Sequence, residues 1–340
     1  MAGHDLHETA RAIVADGKGI LAADESSGTI KKRFDSIGVE STEQNRRFYR
    51  GFLFAAPGME EHIGGVILYD ETIRQHAEDG TPFPELLSSR GVIPGIKVDT
   101  GAHDLAGAPG EKVTEGLDGL QARLEEYVQL GARFAKWRAV ITIGEGIPSM
   151  SCIRANAHAL GRYASLCQEA GLVPIVEPEV LMDADNTIET CDDVTGRTLR
   201  AVFAELFEQD VHLRGTLLKP NMVIAGKGCT TQSQPETVAR LTVHNFERHV
   251  PALVPGIVFL SGGQSETEAT ENLNAINALG GPWPLSFSYG RALQASALDA
   301  WRGEPGNVEA AQQAFLHRAR MNALAVAGDW TTEVEQAVPA

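Results

Sequence analysis

Eight short apolar runs, each closing on a charged or hydroxyl-bearing residue, limit what this chain can fold into more than any other feature. They cover residues 19–24, 65–70, 92–97, 134–138, 173–177, 215–219, 256–261 and 284–289 and are rich in Val, Ile, Leu and Phe. Near-continuous apolar runs of this length are expected of parallel strands covered on both faces. Between them lie helical patterns. Residues 45–54 follow a possible capping box at Ser41 and Gln44, residues 117–130 and 155–170 repeat apolar positions every three or four residues, and Ser265 with Glu268 opens a further helix. Strand and helix alternating eight times predicts a (β/α)8 barrel. At 340 residues, with no linker, low-complexity run or internal repeat, the chain is read as one domain over 1–340. An N-terminal helix is expected at about 5–16 and a short, polar, mobile tail at about 326–340.

The ends of the runs carry the functional information. In order they finish on Asp24, Asp70, Lys97, Lys136 with Arg138, Glu177 with Glu179, Lys219, Ser261 with Gly262 and Gly263, and Ser288 with Gly290 and Arg291. Catalytic groups of a barrel project from the C-terminal ends of its strands, and packing does not explain charge there. Residues two apart on a strand share a face, so Lys136 and Arg138 point one way, as do Glu177 and Glu179. An inward face would turn all four toward Lys219. A lysine beside other cations, partly removed from water, gives up its proton more readily. The neutral amine can attack a ketone and form a Schiff base, an electron sink for the cleavage of a neighbouring carbon–carbon bond. Lys136 would supply the depressing charge and the carboxylates would move protons. A lone lysine at a strand end is most often a surface charge, and the glutamates could simply neutralise Lys136 and Arg138. Asp24 could be no more than a helix N-cap. It is the convergence of so many charges on one rim that favours a site.

A phosphate seat is expected beside it. Gly262, Gly263 and Gly290 would let the backbone approach an anion after strands seven and eight, where Arg291 adds a fork of donors. The segments GKG (17–19) and GKGCT (226–230) do not match a nucleotide-binding P-loop. The ten histidines show no metal-binding spacing, so no metal or other cofactor is expected. A net charge of −16 argues against a nucleic-acid partner. No apolar run approaches the ~20 residues needed to span a membrane. The N-terminus has no apolar core of a signal peptide, and the four cysteines form no C-x-x-C pair. A reducing, cytoplasmic location is therefore expected.

The segments GKGILAADES (17–26), FAKWR (134–138), VPIVEPE (173–179), GTLLKPNM (215–222), FLSGGQS (259–265) and FSYGRALQAS (287–296) together resemble the class I fructose-bisphosphate aldolases. The likeness runs in order from about residue 10 to about 325. It implies reversible, metal-independent aldol cleavage of fructose 1,6-bisphosphate to dihydroxyacetone phosphate and glyceraldehyde 3-phosphate. By the same resemblance Lys219 is the Schiff-base lysine, Glu177 the general acid and base, Asp24 the substrate-orienting acid and Lys136 the cation flanking the imine. Ser261, Gly262, Gly290 and Arg291 match contacts to the C1 phosphate. Ser26, Thr29 and Lys97 match positions around the other phosphate, and Arg46 and Arg138 match further arginines of the site. Thr29 stands where a serine is usual and keeps the hydroxyl. The family's cytosolic homotetramers imply a homo-oligomer. The terminal tyrosine that aids enamine protonation in vertebrate members does not carry over, since the last tyrosine here is Tyr289. Two other readings stay open: another Schiff-base barrel acting on a related sugar phosphate, and a non-catalytic protein that binds such a sugar without turnover.

Overall fold

The computed structural model describes residues 6–337. Ten strands form: β1 (Gly19–Ala23), β2 (Ile63–Leu68), β3 (Ile93–Lys97), β4 (Gly101–Asp104), β5 (Lys112–Glu115), β6 (Phe134–Ile141), β7 (Val173–Val180), β8 (Leu217–Leu218), β9 (Ile257–Phe259) and β10 (Leu285–Tyr289). Eight of them close into a parallel barrel in the order β1-β10-β9-β8-β7-β6-β3-β2. All eight predicted strands are these barrel strands, each within a few residues of its expected bounds. The remaining two, β4 and β5, pair antiparallel as a hairpin after β3. The sequence reading missed that hairpin, because its strands are four residues long and carry polar, largely exposed side chains.

Alternation along each strand sorts the side chains. On β1, Leu21 and Ala23 face the surrounding helices, whereas Ile20 and Ala22 face the barrel axis. The axis is filled at its lower end by Ile20, Ile67, Phe134, Ile175, Leu217 and Val258. The Phe134 ring has room there because Gly95 has no Cβ, which would sit 2.2 Å from it. The N-terminal helix, Leu6–Ile13, packs Ala10 and Ile13 onto this layer and closes the lower opening. It approaches β2 so closely that a Cβ on Gly64 would lie 2.3 Å from the Ile13 carbonyl oxygen. Above the apolar layers the axis carries charge. Register sets Lys97 beside Lys136 and Arg138 beside Glu177.

Two local expectations are corrected. Helix Glu43–Phe54 is capped by Thr42, whose side chain accepts from the Asn45 N–H, rather than by a box at Ser41 and Gln44. The box at Ser265 and Glu268 is present as expected. The segment expected as a loose tail is held down. Helix Val308–Ala327 covers its first two residues, Trp330 is buried, and helix Thr332–Gln336 follows. Glu335 ties that last helix to Arg318 and accepts from the Trp330 indole. Residue 5 of the expected N-terminal helix and residues 338–340 of the tail lie outside the described residues. No helix among the described residues is long and apolar enough to cross a membrane.

Candidate active site

At the C-terminal ends of the strands opens a cavity of about 570 Å³. Seven cationic and six carboxylate side chains line it. A groove of similar volume beside Phe48, Phe52 and Val308 is mainly apolar and lies away from the strand ends.

The floor is a chain of four buried charges. Lys136, on β6, places Nζ 2.8 Å from Asp24 Oδ2 and 3.4 Å from Glu177 Oε2. The other oxygen of Glu177, on β7, is 3.1 Å from Lys219 Nζ. Lys136 and Glu177 are each 3% exposed and Lys219 4%, so none is the surface charge that a strand-end residue usually is. Lys219 is held by its own N–H, which donates to the Val176 carbonyl at 2.8 Å. Beyond Pro220, Asn221 is fully buried and accepts from the Val180 N–H, locking β7 and β8 together at the site.

Electrostatics follow from this chain. Burial would raise the Asp24 carboxyl, but Lys136 and then Lys219 outweigh it and hold Asp24 well below the carboxylate range. Glu177 is likewise pushed up by burial and brought down further by Lys219, Lys136 and Arg138. Burial disfavours charge on Lys136, yet Asp24, Glu177 and Asp99 raise it above the ordinary lysine value. Lys136 is therefore a fixed cation. The expectation that it would sit directly against Lys219 needs correcting in one respect: Glu177 stands between the two amines and contacts both.

The rim carries the other expected residues. Arg138 pairs with Glu179, and that pair raises the arginine against the effect of burial. Lys97 lies 3.1 Å from Asp99. Ser26 stands at the N-cap position of the helix Ser27–Ser36 without a side-chain capping bond, and its hydroxyl is 3.1 Å from that of Thr29. Ser261, Gly262, Gly263, Ser288, Gly290 and Arg291 also line the cavity. Gly263 has φ +81°, and a Cβ there would meet Met182 at 2.2 Å, so only glycine gives this turn. Arg291 is anchored by donating to the Gln264 carbonyl at 2.8 Å. Ser288 Oγ is buried and has no hydrogen-bond partner among the described residues.

Arg46 is the exception. It lies outside the cavity lining and is bound by both oxygens of Glu71 and by the Ser41 carbonyl. The guanidinium that does reach the cavity on that side is Arg33, which the sequence reading did not pick out. It lies one helical turn beyond Thr29, a spacing that could have exposed it. Asp99, two residues past Lys97, was also missed, although its position relative to the strand end repeats the same-face spacing used for Lys136 and Arg138.

Comparison with known proteins agrees with this geometry. The class-I fructose-bisphosphate aldolase family profile matches residues 5–339. A probable class 1 fructose-bisphosphate aldolase of Xanthomonas campestris pv. campestris is 60% identical over 332 residues, covering 97% of this chain and 99% of the relative. The fructose-bisphosphate aldolase of Echinococcus multilocularis is 54% identical, covering 98% and 93%. The solved structure of the Plasmodium falciparum aldolase, in complex with TRAP and a small-molecule inhibitor, superposes with a TM-score of 0.95 at 52% identity, covering 96% of this chain and 95% of that one. The chain belongs to the class I fructose-bisphosphate aldolase family.

Proposed function

We propose that Lys219 is the amine through which this chain performs its family's reaction, the reversible cleavage of fructose 1,6-bisphosphate to dihydroxyacetone phosphate and glyceraldehyde 3-phosphate. The observation that carries the assignment is the buried run Lys219–Glu177–Lys136–Asp24 on the barrel floor. A proton passes from Lys219 Nζ to Glu177, 3.1 Å away. The neutral amine then attacks the C2 carbonyl of the open-chain sugar. Lys219 is the first of the cations holding Glu177 low. Once its charge is gone, burial pushes Glu177 toward the acid form, which is what loss of water from the carbinolamine needs. The protonated imine restores a cation beside Glu177 and returns it to carboxylate. Glu177 next takes the C4 hydroxyl proton, the C3–C4 bond breaks, and its electron pair flows into the imine to give an enamine. The aldehyde leaves, C3 is protonated, and water releases the second product with Lys219 as the amine. Lys136 stays charged throughout, oriented by Asp24.

The two phosphates are assigned to two groups of these residues. Ser261, Gly262, Gly263, Ser288, Gly290 and Arg291 form one seat; Ser26, Thr29 and Lys97 form the other, and Arg33, on the helix after Ser26, lies beside Gly290 between them. Arg138 and Glu179 brace the rim between. The reaction needs no metal or other cofactor in this scheme, and chelation with EDTA is expected to leave the rate unchanged. A homotetramer in the cytoplasm is the assembly and location in keeping with the family and with four free cysteines.

The test is reduction with borohydride in the presence of dihydroxyacetone phosphate, followed by peptide mapping. A stable mass on the peptide containing Lys219 is expected. Label on another lysine, or full turnover by Lys219→Ala, would overturn the assignment.

A further inference from the structure

Glu25 follows Asp24 directly but turns away from the reacting centre, and its side chain is 5% exposed. One oxygen, Oε1, accepts from Arg33 Nη1 at 2.5 Å and from Gln294 Nε2 at 2.9 Å. The other, Oε2, is buried without a hydrogen bond and lies 3.6 Å from the guanidinium of Arg50, which is itself only 1% exposed. Arg50 is fixed in turn by donating to the Glu25 carbonyl and to Thr72, and Gln294 by Tyr49 and the Ala22 carbonyl. Glu25 is thus held from both sides, by Arg33 and Gln294 at one oxygen and by Arg50 beside the other.

Arg33 is different. It is partly exposed, belongs to the helix Ser27–Ser36, and uses one nitrogen on Glu25. Its second terminal nitrogen, Nη2, would be 3.4 Å from a Cβ on Gly290. Among the described residues no acceptor takes a hydrogen bond from that nitrogen. Both Arg33 and Gly290 line the cavity. An unrestrained arginine of this kind samples many rotamers, and fixing one costs entropy each time a ligand binds.

We propose that Glu25 is a positioning residue: it holds Arg33 by one nitrogen so that the other stands ready beside Gly290 for a substrate phosphate. The proposal rests on the aldolase reading. Because the phosphate is not the reacting group, Arg33 grips ground state and transition state alike. Loss of Glu25 therefore raises KM with little change in kcat.

The experiment compares Glu25→Gln and Glu25→Asp in wild-type and Arg33→Ala backgrounds, with fructose 1,6-bisphosphate as substrate. Borohydride trapping with dihydroxyacetone phosphate counts competent sites in each variant. Glu25→Gln is expected to raise KM about tenfold per competent site, the loss of one charge-assisted hydrogen bond's worth of binding. It should add nothing further once Arg33 is alanine. Glu25→Asp keeps the charge that Arg50 needs while drawing the carboxylate back from Arg33. It should raise KM in a folded enzyme even if the glutamine variant does not fold. An unchanged KM in the aspartate variant, or an equal rise with and without Arg33, would overturn the proposal. Failure of wild-type protein to trap at Lys219 would instead overturn the aldolase assignment.

Discussion

In the proposed mechanism the chemistry turns on Glu177, whose two oxygens face different lysines. Lys136 is pinned by Asp24, so in that mechanism only the Lys219 side of Glu177 changes charge during turnover. Glu177→Gln keeps size and hydrogen bonding but can neither accept nor return a proton. Turnover is expected to fall about 10²- to 10⁴-fold, with single-turnover trapping showing that imine formation itself has slowed. Normal trapping kinetics would place the proton transfer elsewhere. At this scale the sequence was readable wherever function sits at a strand end. Lys219 and Asp24 each stop an apolar run, Lys136 and Glu177 interrupt one, and the alternation of a strand decides where they point. Arg33 escaped because it stands on a helix, where surface arginines are commonplace. Arg46 was over-read for the same reason: nothing in its local sequence reveals that Glu71 claims it.

At the scale of elements, one close fit is between the N-terminal helix Leu6–Ile13 and β2. Gly64→Ala would drive a methyl to 2.3 Å from a backbone oxygen, which no side-chain rotation relieves. The variant is expected to lose about 1–3 kcal/mol, measured as a lower urea midpoint with an unchanged slope. A midpoint equal to wild type would show that the helix is not held in this place. Strands were legible because an apolar run of five or six residues has few other uses in a soluble domain. The hairpin β4–β5 was not, since neither strand buries a regular face. Nor was the docking of residues 321–336. Its buried surface is built largely from Ala, from Trp330 and from a single ion pair, and such a segment reads as polar until its partner Arg318 is placed.

The whole molecule gathers alternating charge on the barrel axis, and its stability depends on pH accordingly. Asp24 and Glu177 have folded-state pKa values below their unfolded ones. Each adds stability that is present above the unfolded value, near 4, and lost as pH falls through the folded value. Lys136 is raised, so its contribution is complete below the unfolded value, near 10.4, and fades only as pH rises above it. Urea midpoints measured from pH 7 to pH 3 should therefore fall steeply below about pH 5, and Asp24→Asn should give a flatter fall. An equally steep decline in that variant would show that other carboxylates govern acid unfolding. The barrel also has a lower end, stoppered by Ala10 and Ile13. What remains is a cul-de-sac. Sugar must enter, and both triose phosphates must leave, through one doorway, so whichever product lingers bars the next substrate.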